Sequence, residues 1–180
     1  MMRGLVTLLA LIAASLPFSA AQARVVDQAP NGFTLENSEW VAVDSMTAWK
    51  AFVDVSQWWP ADHSWWGDAS KLSISEKAGG CFCEINGAQQ AWHMTVTFVD
   101  PGKLMRMAGG LGPLQGMGLD GALEWRFVEE KGGTRITLWY RAGGYTPDDL
   151  GKFVPVIDQV QGLQLRGLAE HLRKHVEKKP

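Results

Sequence analysis

The sequence predicts an α+β domain, a curved antiparallel sheet of about six to seven strands wrapped around one long C-terminal helix. Three observations predict it. From Lys71 to Tyr140 apolar residues recur with a period of two, interrupted by turn signals. From Leu150 to Val176 they recur at helical spacing. No linker, repeat or low-complexity block divides residues 24–180, so a single domain accounts for them.

The elements follow in order. Phe33 to Val43 reads as a first strand with Leu35, Val41 and Val43 on one face. Asp44 is a good N-cap for a short helix to about Asp54, whose Met46, Trp49, Phe52 and Val53 share a side. Ser56 to Asp68 is irregular and aromatic, punctuated by Pro60 and Gly67. Leu72 and Ile74 form a short strand, and Cys81, Cys83 and Ile85 mark the next. Asn86-Gly87 is the strongest hairpin signal in the chain. After it Trp92, Met94, Val96 and Phe98 alternate with His93, Thr95 and Thr97, which predicts His93 on the opposite face. Pro101-Gly102 turns into Leu104–Ala108, and a glycine-rich loop leads to Leu123, Trp125 and Phe127. Lys131-Gly132-Gly133 then turns into Ile136, Leu138 and Tyr140. Thr146-Pro147-Asp148-Asp149 reads as N-cap, first-position proline and first-turn acids of the last helix. Its stripe is Leu150, Phe153, Val154, Ile157, Val160, Leu168, Leu172 and Val176, with Pro155 expected to bend it.

Residues 1–23 read as a cleaved Sec-type signal peptide. Arg3 precedes an apolar run from Gly4 to Phe18, and Ala21-Gln22-Ala23 supplies the small-x-small cleavage pattern. The run is shorter than the roughly 20 residues a bilayer span requires. The expectation is a periplasmic or secreted domain starting at Arg24, with no stable membrane anchor. The formal charge of −2 indicates no nucleic-acid partner.

The order of elements, together with Val55-Ser56-Gln57-Trp58-Trp59-Pro60, Ala78-Gly79-Gly80-Cys81-Phe82-Cys83-Glu84, Leu111-Gly112-Pro113-Leu114-Gln115 and Gly143-Gly144-Tyr145, resembles the START-like (SRPBCC) helix-grip superfamily. Within it the chain is most similar to the branch of activator-of-heat-shock-ATPase homologues (AHSA-type) and polyketide cyclase-like domains, in an exported subgroup. The resemblance covers residues 32–178. It implies a cavity between sheet and C-terminal helix, and a fold that does not by itself fix function.

The expected function is binding of a small apolar or aromatic molecule in that cavity, by a monomer or homodimer. Nine Trp are present, with Trp58, Trp59, Trp65 and Trp66 clustered near the expected entrance. The candidate ligand-binding residues are these four with Cys81, Cys83, Met107, Trp125, Tyr140 and Tyr145. Leu123→Trp is expected to narrow the cavity. Two alternatives stand beside this reading. One is a cyclase- or hydrolase-type enzyme using cavity polar groups, for which no catalytic residue stands out. His63 and Ser64 are chain neighbours, not a base–nucleophile pair. Glu84, Glu124, Arg106, Arg126 and Arg141 fit either the cavity or charge pairs on a solvent face, and Asp158 and Gln159 either a ligand or a solvated helix face. The other alternative is zinc or copper handling through Cys81 and Cys83, with His93 and the methionines.

Only two Cys are present. Residues two apart on a strand lie about 6.5–7 Å apart, at the edge of disulfide geometry. Reduced, buried thiols are therefore the expected state, and a Cys81–Cys83 bridge the alternative in an oxidising compartment. No cofactor is indicated. Gly116 to Gly121 matches G-x-G-x-x-G but precedes a strand, the reverse of the dinucleotide-binding context, and no phosphate-binding P-loop occurs.

Overall fold

The structure, a computed structural model, describes residues 24–177; the signal-peptide reading lies outside the described residues. Eight strands form one sheet: β1 (Arg24–Ala29), β2 (Gly32–Val41), β3 (Leu72–Ile74), β4 (Cys81–Asn86), β5 (Gln89–Asp100), β6 (Leu104–Ala108), β7 (Asp120–Glu130) and β8 (Gly133–Gly143). Among the described residues three α-helices accompany them: α1 (Ser45–Val53), the one-turn α2 (Pro113–Gly116) and α3 (Leu150–Glu177), with short 3-10 turns between α1 and β3. The sheet order is β1-β2-β8-β7-β6-β5-β4-β3, and each neighbouring pair is antiparallel. The α+β sheet-and-helix class predicted from the sequence is the one observed.

Alternation explains most of the sheet. Met105 and Met107 on β6, Leu123, Trp125 and Phe127 on β7, and Ile136, Leu138 and Tyr140 on β8 are all buried on the side that α3 covers. An aromatic file crosses this core. Trp49 packs on Phe127, Phe52 on Trp125 with ring centroids 4.9 Å apart, Trp58 on Trp125, Trp59 on Trp58, and Phe82 on Trp59. In α1, Asp44 caps the backbone N–H of Thr47 at 2.8 Å, and Ala48, Trp49 and Phe52 are buried while Met46 is exposed.

Polar ties seat α3 against β2. Asn37 donates to Asp158 at 3.0 Å, and Arg173 donates to Glu39 at 2.8 Å. Asp158 is therefore neither on a solvated face nor free in the cavity. Gly167 allows the close approach at mid-helix. A Cβ there would lie 2.7 Å from the Trp58 carbonyl oxygen. Gly167→Ala should gain helix propensity of about 1 kcal/mol yet lose more through displacement of the 58–60 backbone. Chemical denaturation should register a net destabilisation of about 1–2 kcal/mol.

Four details depart from the sequence expectation. β1 is an added edge strand whose residues are all exposed, so it carries no apolar alternation; the Pro30-Asn31-Gly32 turn is its only cue. α3 starts at Leu150 rather than near Pro147, with Asp149 just outside it accepting from the N–H of Gly151 at 3.1 Å. The third is the pairing of β5, which bulges twice. It carries one residue more than β4 between Trp92 and Met94, and one more than β6 between Val96 and Phe98. Each bulge flips the side-chain phase. Trp92 and Phe98 consequently face outward, half exposed, and His93 turns inward beside Met94.

The fourth departure is a disulfide joining Cys81 to Cys83. Their Cα atoms are 5.4 Å apart, closer than an ideal strand allows and within disulfide range. The contraction coincides with the irregular register between Phe82 and Cys83. The expectation of two reduced thiols is corrected accordingly.

Candidate functional site

The concave side of the sheet is not completely filled. A cavity of about 380 Å³ remains between the 59–65 segment, β4, β5, the 111–117 loop and α3. That is the lower part of the range for small-molecule sites. On α3 its wall is Phe153, Val156, Ile157, Val160, Gln161 and Gln164. These recur at helical spacing, so one stripe of the helix faces the cavity. A second stripe, Leu150, Val154, Leu165, Leu168 and Leu172, is buried in the solid core. The single apolar stripe expected from the sequence is thus two adjacent stripes with different duties. Phe153 and Val156 stay partly exposed because they rim the cavity.

The opposite wall is aromatic. Trp59 is buried, its indole N–H donating to the His63 carbonyl at 3.1 Å, while Trp65 stands half exposed at the rim. Phe82 continues this wall, with the His93 ring 5.1 Å from it, centroid to centroid.

The third wall is the loop before β7, with Leu111, Pro113, Leu114 and Met117 facing inward. Tyr140 holds this loop from beneath. Its hydroxyl donates to the Gly109 carbonyl at 3.0 Å and accepts from the Leu111 N–H at 3.2 Å. Burial pushes the phenol up to about 12, so it remains a donor at neutral pH. Gly110 is needed here, since a Cβ would lie 2.3 Å from the Leu119 carbonyl oxygen. The G-x-G-x-x-G run leads into β7 and opens no helix.

The polar groups lining this cavity are Asp62, which is exposed, with His63, Ser64, His93, Gln161 and Gln164, and Glu84 lies behind His93. Glu84 is fully buried and accepts from the backbone N–H groups of Trp65 (3.0 Å) and Trp66 (3.2 Å). Its carboxylate also lies 3.2 Å from Nε2 of His93. Among the described residues, both amide atoms of Gln161, Oε1 of Gln164 and Nδ1 of His63 are buried without a hydrogen-bond partner. Each unmatched buried polar atom costs about 1–3 kcal/mol relative to a paired one. Among the described residues no Lys or Arg lines the cavity.

Burial lowers the pKa of His93, and the Glu84 hydrogen bond and charge offset only part of this. His171 is shifted the same way, by burial first and then by His175. A histidine lowered in the folded state binds fewer protons there than in the unfolded chain. Its stabilising contribution is whole above the ordinary histidine value of about 6.5 and is lost as pH falls toward the folded value. Urea denaturation should therefore show stability falling from pH 7 to pH 5, with a shallower fall in His93→Phe.

Of the residues selected from sequence, Trp59 and Trp65 line the cavity. Trp58, Met107, Trp125 and Tyr140 are buried in the core behind it, and Leu123 is likewise core, so Leu123→Trp would overpack the core and not narrow the cavity. Trp66 touches the site through its backbone N–H on Glu84. Tyr145 is 88% exposed and lies off the cavity. Cys81 and Cys83 also lie off it, and their sulfurs are joined to each other. The thiols thus do not meet His93 as metal ligands, and among the described residues no group of three or more His, Cys, Asp or Glu side chains could hold a metal. Glu124 belongs to a pair network, accepting from Arg106 at 2.6 Å and from Arg126 at 2.7 Å. Sequence reasoning misses Gln161 and Gln164 and reads Glu84 as a cavity or surface charge, and the bulge reverses the face expected for His93.

The geometry defines a helix-grip domain with an internal cavity. The chain is similar in structure to CalU16 from Micromonospora echinospora, with a TM-score of 0.58 and 13% identity over 86% of this chain and 85% of that one. It is also similar to an uncharacterised protein from Rhizobium leguminosarum (TM-score 0.56, 17% identity, 87% of this chain and 99% of that one). A third likeness is to StfQ, a di-domain ARO/CYC protein of the steffimycin biosynthetic pathway. There the TM-score is 0.56 and the identity 10%, over 82% of this chain and 53% of that one. No protein-family model matches the sequence, and no curated protein does.

Proposed function

We infer that the protein is an exported helix-grip domain that binds a small, mainly apolar or aromatic molecule between its sheet and α3. The observation that carries this reading is the cavity of about 380 Å³, with apolar walls and a few buried, unmatched amide atoms. Burial of apolar surface supplies affinity, at about 25 cal/mol per Å², and the amides supply orientation. Export rests on the apolar run Gly4–Phe18 and the Ala21-Gln22-Ala23 pattern. The test is native mass spectrometry of protein purified gently from the organism's exported fraction. A bound mass on the order of a few hundred daltons, lost on denaturation, is expected. Protein that carries no adduct, and takes up none from an extract of the same cells, would count against the reading. The same spectrum tests export, because the intact mass should begin at Arg24.

A second reading, an enzyme of cyclase type, is favoured by one observation. A buried carboxylate and an imidazole are paired at the cavity wall, and the likeness to StfQ is compatible with it.

A further inference from the structure

The Glu84–His93 pair does more than fill space. Glu84 has no Lys or Arg beside it; among the described residues its ion-pair partner is His93. A carboxylate only accepts hydrogen bonds, and three donors converge on this one if Nε2 of His93 carries the proton. The network thereby assigns the tautomer and leaves the Nδ1 lone pair free. Among the described residues Nδ1 has no protein hydrogen-bond partner, and the ring lines the cavity. Burial keeps the imidazole neutral at neutral pH, which preserves that lone pair. The β5 bulge is what turns His93 inward, and Glu84 ties the same ring to the Trp65–Trp66 backbone. On the facing helix, Gln161 and Gln164 are 2% and 4% exposed, and their unmatched amide atoms border the same cavity.

These features define a ligand chemistry. Among the described residues the site offers an acceptor at His93, a second imidazole at His63, the amides, Asp62, Ser64 and aromatic walls, with no Lys or Arg to balance an anion. A carboxylate or phosphate ligand is therefore disfavoured beside Glu84. We propose that the Glu84–His93 pair is a hydroxyl-recognition site, in which His93 Nδ1 accepts a hydrogen bond from the O–H of a phenol-type ring ligand while Gln161 and Gln164 take a second polar group of the same molecule. This rests on the reading of the cavity as a ligand site. His93 is then a specificity-determining residue, and Glu84 a positioning residue that acts through it.

The experiment compares 2-naphthol with 2-methoxynaphthalene, which has the same ring with its hydroxyl capped, by calorimetry on the purified protein. The wild type should bind 2-naphthol at least about tenfold more tightly, as one hydrogen bond in a buried site allows. In His93→Phe the two affinities should converge, with 2-methoxynaphthalene binding retained. On the wild type alone, the ¹⁵N resonance of His93 Nδ1 should move with 2-naphthol and not with its ether. Equal affinities in the wild type, or a preference that survives in His93→Phe, would overturn the hydroxyl site and leave the cavity reading intact. Failure of both probes to bind would overturn the cavity reading and this proposal together.

Discussion

Val160→Trp should abolish binding of 2-naphthol while leaving the fold in place. Val160 sits midway along the α3 stripe that faces the cavity, between Ile157 and Gln164. An indole there occupies space that a ligand needs and meets little packed protein. Overpacking a filled core costs about 1–3 kcal/mol, whereas filling an existing void costs less or stabilises. Calorimetry should show affinity reduced by about a hundredfold or more, equivalent to about 2.7 kcal/mol, with thermal denaturation shifted by only a few degrees. Unchanged affinity in a folded Val160→Trp protein would place the ligand elsewhere. Leu123→Trp serves as the contrast, because Leu123 is in the packed core and its replacement should act on stability first.

Glu84→Ala should be the most destabilising of the single changes at the site. The wild-type carboxylate is fully buried, and three hydrogen bonds offset its desolvation. Removing it relieves that desolvation but strands three donors. The backbone N–H of Trp65 lies in a half-exposed loop and can recover water, so the full penalty is not felt. A loss of about 2–3 kcal/mol is expected in urea denaturation, together with faster amide hydrogen exchange at Trp65 and Trp66. Glu84→Gln, which keeps one acceptor oxygen and the side-chain shape, should lose about half as much. A loss below about 0.5 kcal/mol for Glu84→Ala would mean that the loop is held by other contacts.

The parts of the molecule that read easily from sequence are those where one physical rule acts alone. β6 and β8 keep alternation because one face is buried and the other less so, and β7 departs from it at Glu124, buried where Arg106 and Arg126 pair with it. The Asn86-Gly87 hairpin is set by backbone conformation, with Gly87 at φ 64°. The candidate site is different because it lies where two rules compete. On β5 two bulges break the alternation, so period-two reasoning sends His93 outward and Trp92 inward, the reverse of what is found. On α3 the cavity stripe and the core stripe are adjacent and both largely apolar, so their composition does not separate them. Gln161 and Gln164 interrupt the cavity stripe with polarity, and that interruption is the readable cue for a lined void. Cys81 and Cys83 illustrate the same limit, since a local irregularity closes a distance that an ideal strand leaves too long. β1 has no apolar face at all, and backbone pairing leaves little signature in side chains.

If the cavity is a ligand site, a small ring molecule occupies the space between the 59–65 segment and α3. The most direct measurement is methyl NMR of Ile-, Leu- and Val-labelled protein titrated with 2-naphthol. Saturable shifts are expected at Leu114, Val156, Ile157 and Val160, which line the cavity, and none at Val25 or Val128, which are exposed and lie off it. Shifts confined to Val25, Val128 or other residues off the cavity, or no saturable shift at all, would contradict the cavity reading.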